Sequence, residues 1–78
     1  MNTIKELDAV ALVSELPVRG VKRGDVGTAV LVHGDGAAFE VKLVGHDGHT
    51  MARVTLERGA VRALHATDIP HARTLAAA

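Results

Sequence analysis

Alternation of apolar and polar side chains, the period-two signature of a strand, is cleanest over residues 38–44 (AFEVKLV). Phe39, Val41 and Leu43 share one side there, and Glu40 and Lys42 the other. Four further segments follow the same rule. Residues 8–14 (DAVALVS) set Val10 and Leu12 against Ala9, Ala11 and Val13; both sides are apolar, and short length with β-branched residues selects a strand over a buried helix. Residues 26–32 (VGTAVLV) turn Val26, Thr28, Val30 and Val32 to the core and Ala29 and Leu31 away from it, while Gly27 admits a bulge or a close neighbouring backbone. Residues 49–56 place Thr50, Ala52, Val54 and Leu56 on one face and Met51, Arg53 and Thr55 on the other, and residues 60–64 supply a last short strand.

Gly, Asp and Pro punctuate these runs. His33 to Ala37 (HGDGA) turns the chain, Asp47-Gly48 closes the next hairpin by accepting positive φ, and Glu57 to Gly59 makes a third turn or a single helical turn. Residues 15–24 (ELPVRGVKRG) carry Pro17, Gly20 and Gly24 with three basic residues, and read as a long exposed loop suited to function. Thr3 and Glu6 have capping-box spacing and predict one helical turn at the start. Five short strands, a long first connection and three tight later turns predict an all-β fold. The expected architecture is a five-stranded SH3-like barrel over residues 1–65, its meander of three central strands closed by the terminal ones, with an extended or partly disordered tail over residues 66–78. An oligonucleotide-binding barrel normally carries a helix between strands three and four, and no segment here supplies one.

Composition narrows the chemistry. The 78 residues fit one domain, and 47% are apolar, yet 13 of these are Ala and Phe39 is the one aromatic residue. Such a core is thin, so stabilisation by a partner or by self-association is expected. There is no Cys, which removes thiol chemistry and Cys-bound zinc. Nine Lys and Arg balance nine Asp and Glu, which argues against a general polyanion binder. The initial residues lack the apolar run of a signal peptide, so the expected location is the cytoplasm, with no membrane association.

The run from Leu7 to Leu64 resembles the bacterial domain-of-unknown-function family 4926. The resemblance rests on Leu7-Asp8 opening an apolar strand, on Leu16-Pro17 followed by Gly20, and on Lys22-Arg23-Gly24-Asp25-Val26-Gly27-Thr28. It continues through Asp35-Gly36, Phe39-Glu40-Val41, Asp47-Gly48 and Thr55-Leu56. It implies a small SH3-like barrel, no assigned reaction, and an accessory, antitoxin or immunity-like role beside a neighbouring gene product. His33 departs from the aromatic residue usual at that place, and so do His46 and His49 from other polar residues.

Candidate sites follow from the loop and the outward apolar positions. The expected function is a non-catalytic protein-binding module, its partner held by Pro17, Arg19, Val21, Lys22 and Arg23 of the long loop, with Leu31 and Met51 as apolar contacts. The alternative is a nucleic-acid-binding barrel that grips phosphate through the basic loop 19–25, although Tyr and Trp, the usual stacking platforms, are absent. His46 and His49 flank the Asp47-Gly48 turn and are the candidates for a metal, but no recognised ligand spacing accompanies them, so no metal and no cofactor are expected. Ser14 and the Thr residues lack a base fixed nearby by this reading, and no catalytic residue is assigned.

Overall fold

A computed structural model describes residues 3–15 and 20–75. Its strands are β1 (Ala9–Leu12), β2 (Val26–His33), β3 (Ala38–Val44), β4 (Thr50–Glu57) and β5 (Val61–Ala63). They form one antiparallel sheet in the order β4-β3-β2-β1-β5. The central meander β2-β3-β4 and the pairing of the first strand with the last follow the expected order. Closure does not: the hydrogen-bonded ladder stays open between β4 and β5. The sheet instead curls, so that Val54 and Leu56 from one edge and Val61 from the other pack into a single core with Val10, Leu12, Phe39 and Val41. A single 3-10 turn at Arg58–Ala60 crosses from edge to edge, tied by Arg58 N–H to the Ala37 carbonyl and by Val13 N–H to the Ala60 carbonyl.

The inward set of β2 differs from simple alternation. Ala29, expected outside, is fully buried, and Val26, expected inside, is 42% exposed. The cause is a β-bulge. Ala29 pairs with Val41 but Leu31 pairs with Glu40, so Val30 is an extra residue and the facing reverses across it. Before the bulge Gly27 and Ala29 face in; beyond it Val32 turns to the core opposite Phe39. A second bulge lies between β3 and β4, where Val44 pairs with Thr50 and Leu43 with Ala52, leaving Met51 extra. Elsewhere on β3 and β4 the alternation holds, with Phe39, Val41, Leu43, Val54 and Leu56 inside. On β1 both sides are covered, since Ala11 is as buried as Val10 and Leu12.

Residues 3–7 form no helix. One turn of helix fixes several dihedrals for one hydrogen bond, and a competing turn takes the donors. The Asp8 carboxylate accepts from Lys5 N–H at 2.8 Å, and Asp8 N–H donates to the Lys5 carbonyl at 3.0 Å. Leu7 adopts φ 72° so that its N–H reaches the Ala29 carbonyl, while Ile4 drops into the core. The same turn recurs twice. Lys22 and Asp25, and His65 and Asp68, exchange the same pair of bonds across three residues. In each tetrad a basic residue leads and Asp closes, its short carboxylate satisfying the donor that a tight turn exposes.

Gly27 fixes the distance between β2 and β3. A methyl group there would lie 2.7 Å from Val41 Cγ1 and 2.9 Å from the Lys42 carbonyl oxygen, and the second of these is backbone that cannot step aside. Overpacking of this kind costs about 1–3 kcal/mol. Gly27→Ala is therefore expected to lower the unfolding free energy by that amount, read as a lower urea midpoint at unchanged slope; an unchanged midpoint would show that the two strands can separate.

Candidate functional site

Residues 64–75 contain no strand or helix and run as a strap across the outside of β1 and the start of β2. Two arginine forks hold it. Arg62 of β5 places Nη2 and Nη1 on the two Asp68 carboxylate oxygens, both at 2.9 Å. Farther along, Arg73 sets Nε at 2.7 Å from Asp25 Oδ1 and Nη2 at 2.6 Å from Oδ2, and the same Nη2 donates to the Gly20 carbonyl at 2.8 Å. Both acids close the tetrad turns described above, so each receives a backbone N–H as well as a guanidinium. Planar fork-to-carboxylate geometry makes these the strongest class of side-chain ion pair.

The Arg73 guanidinium beside Asp25 holds its carboxyl below the usual range, the Lys22 amide and charge adding to the effect and partial burial opposing it. Asp68 is driven well below the ordinary value by Arg62 first and by the His65 amide second.

Between strap and sheet lies an open groove of about 460 Å³. Ala11, Val13, Val26 and Leu64 give it apolar walls, Arg23 and Arg62 stand along the sheet side, and Ile69 and His71 along the strap. Ile69 is 90% exposed, an unusual position for so large an apolar side chain. A smaller hollow, about 360 Å³, opens beneath the first residues, where Ile4 and Phe39 meet Asp35 and Arg58.

Residues 6–63 match the family described as Domain of unknown function (DUF4926). The chain belongs to that family. Searches of curated proteins and of solved structures find no match. The DUF4926 match spans all five strands and ends at the last residue of β5, so the strap lies beyond the matched residues, while its anchor Asp25 lies within them.

The loop and face residues proposed from sequence are placed unevenly by this DUF4926 fold. Pro17 and Arg19 lie outside the described residues. Val21 is a correction: at 1% exposure it belongs to the core and offers no contact surface, because the loop turns inward there between Gly20 and the Lys22–Asp25 turn. Lys22 and Arg23 are exposed, and Arg23 borders the groove. Leu31 and Met51 are both about two-fifths exposed but do not form one surface. Leu31 lies opposite Glu40, whose carboxylate takes Arg53 Nε at 3.1 Å and stands 3.5 Å from His33 Nε2. Met51 bulges out beside Val44, four residues away on β3, or about 13 Å along the strand.

At the hairpin tip, His49 uses Nδ1 and its backbone N–H on the two Asp47 oxygens. That bonding completes the turn and lowers the Asp47 pKa, led by the His49 amide. Among the described residues no three His, Cys, Asp or Glu side chains converge on a point where they could hold a metal.

Sequence reading missed the strap anchors Arg62, Asp68 and Arg73. A signal for them exists in the repeated tetrads ending in Asp8, Asp25 and Asp68, since the third falls in the segment read as a tail.

The depressed Asp25 pKa has a defined sign. A carboxyl lowered in the folded state adds stability that is complete above its ordinary value of 3.8 and is lost as pH falls through the folded value. Arg73→Ala should therefore melt below the parent at neutral pH, and the two melting temperatures should converge as pH drops below 3.8. A gap that stays constant into acid would remove the ion pair as its cause.

Proposed function

We propose that this DUF4926 chain is a non-catalytic protein-binding module with an SH3-like barrel, an accessory to a neighbouring gene product. One observation carries the reading: large apolar side chains gather at one end of the outer face of the sheet. Val44 is 46% exposed, and Val26 and Met51 are 42% exposed. Two steps beyond the Thr28–Lys42 pair, the register sets Val26 beside Val44, and the β4 bulge sets Met51 on the other side of Val44. Three adjacent strands thus present an apolar row. A chain with little core has reason to cover it, because exposed contiguous apolar surface favours association. Zero net charge, with Arg62 and Arg73 already paired to Asp, supports a protein partner over a polyanion.

The nucleic-acid reading keeps one supporting observation, the exposed Lys22 and Arg23 beside the groove. Salt separates the two readings. A tagged chain expressed in its own host should retain a protein partner through high-salt washing, and Val44→Asp with Met51→Asp should release it while circular dichroism stays unchanged. Binding that disappears steeply with salt and survives the double substitution would favour phosphate contacts through the basic loop.

A further inference from the structure

The Arg73 contact has the form of a ligand in a receptor. Three acceptors converge on one guanidinium, namely both Asp25 carboxylate oxygens and the Gly20 carbonyl. The receptor is assembled without the strap: Lys22 N–H holds the Asp25 carboxylate at 2.8 Å, and Asp25 N–H closes the turn onto the Lys22 carbonyl. Gly20, at φ 70°, aims its carbonyl at the same point, and the nearest atom to its missing Cβ is Leu75 Cδ1 of the strap. All receptor residues lie within the residues matched by DUF4926, whereas Arg73 and Leu75 lie beyond them.

We propose that Asp25 and the Gly20 carbonyl form a guanidinium-binding site for an extended, arginine-bearing segment of a partner protein, and that the chain's own strap occupies this site in cis through Arg73. The chemistry of the occupant is taken from the strap itself, an irregular segment that delivers one arginine fork and one leucine to the recess. Lysine does not fit the description, because a single ammonium cannot meet both carboxylate oxygens in a plane and reach the carbonyl. Beyond Leu64, whose N–H donates to the Ala9 carbonyl, the strap makes no ladder with the sheet, so release of residues 65–75 exposes the site without unpairing a strand. The proposal rests on the protein-binding reading above and supplies that partner's chemistry.

A strap docked about nine-tenths of the time lowers the affinity of a competing segment about tenfold. The test is a nuclear magnetic resonance titration of the full chain with a synthetic peptide of sequence HATDIPHARTL, residues 65–75. Arg73→Ala should bind this peptide about tenfold more tightly than the parent, with shift changes at Gly20 to Val26. Arg73→Lys, which removes the two-pronged fork without changing the charge, should give a smaller rise in the same direction. The peptide with its arginine changed to alanine should not bind, and neither should the Asp25→Ala, Arg73→Ala double variant, provided its β3 and β4 signals remain in place. Equal affinity of parent and Arg73→Ala, absence of binding to both, or equal binding of the alanine peptide would overturn the proposal. So would a parent dimer that Arg73→Ala converts to monomer, since the site would then belong to a second copy. A partner that is lost with Val44→Asp and Met51→Asp but ignores Asp25→Ala would leave the protein-binding reading standing and remove this one.

Discussion

Asp25 is the residue on which separate parts of the chain meet. Its backbone carbonyl accepts from Leu12 of β1, its N–H and carboxylate close the turn on Lys22, and Val26, the next residue, begins β2. Its carboxylate then receives Arg73, 48 residues away. One acidic residue, through its backbone and its carboxylate together, therefore links the end of the first strand, the exit of the long loop, the start of the central strand and the strap. A carboxylate can serve in this way because it has two oxygens and about four acceptor positions, enough for one amide and a two-pronged guanidinium together.

The second constraint is the small size of the core. With Phe39 as the one large aromatic, the sheet has to bring both edges toward the same few side chains, and it does so by curling without joining β4 to β5. The bulge at Val30 serves this shape. It lets Gly27 and Ala29 face in where β2 crosses closely under β3, then returns Val32 to the core beside Phe39, where there is more room. The cost of the arrangement appears outside: Val26, Leu31, Val44 and Met51 are turned out on or beside the bulged stretches.

Much of this was legible in the sequence. Strand number and the turns followed from period-two alternation and from Gly and Asp placement, the strand order followed from the small-barrel architecture that these suggest, and β3 matched to the residue because Glu40 and Lys42 sharply separate its two faces. The facing of β2 was not legible. In a run where Val, Ala and Leu fill both sides, nothing polar reports the phase, and a one-residue bulge inverts it silently. Val21 was misread for a related reason, since a loop rich in Gly, Pro and basic residues suggests exposure, and only the closed Lys22–Asp25 turn reveals that the chain dips inward beside it. The strap was the least legible part. Its anchoring depends on ion pairs that span 48 residues in one case and 6 in the other, and neither follows from local periodicity.

These features describe a DUF4926 body with a strap latched to its central acid. The claim that Asp25 and Arg73 act as one unit is tested most directly by a double-mutant cycle, with Asp25→Ala, Arg73→Ala and their combination compared by urea unfolding at neutral pH. The account predicts strong non-additivity: once Asp25 is gone, removing Arg73 should cost much less than it does in the parent, because only its bond to the Gly20 carbonyl is then left to lose. Additive losses would mean that the two side chains contribute independently, and would contradict the latch.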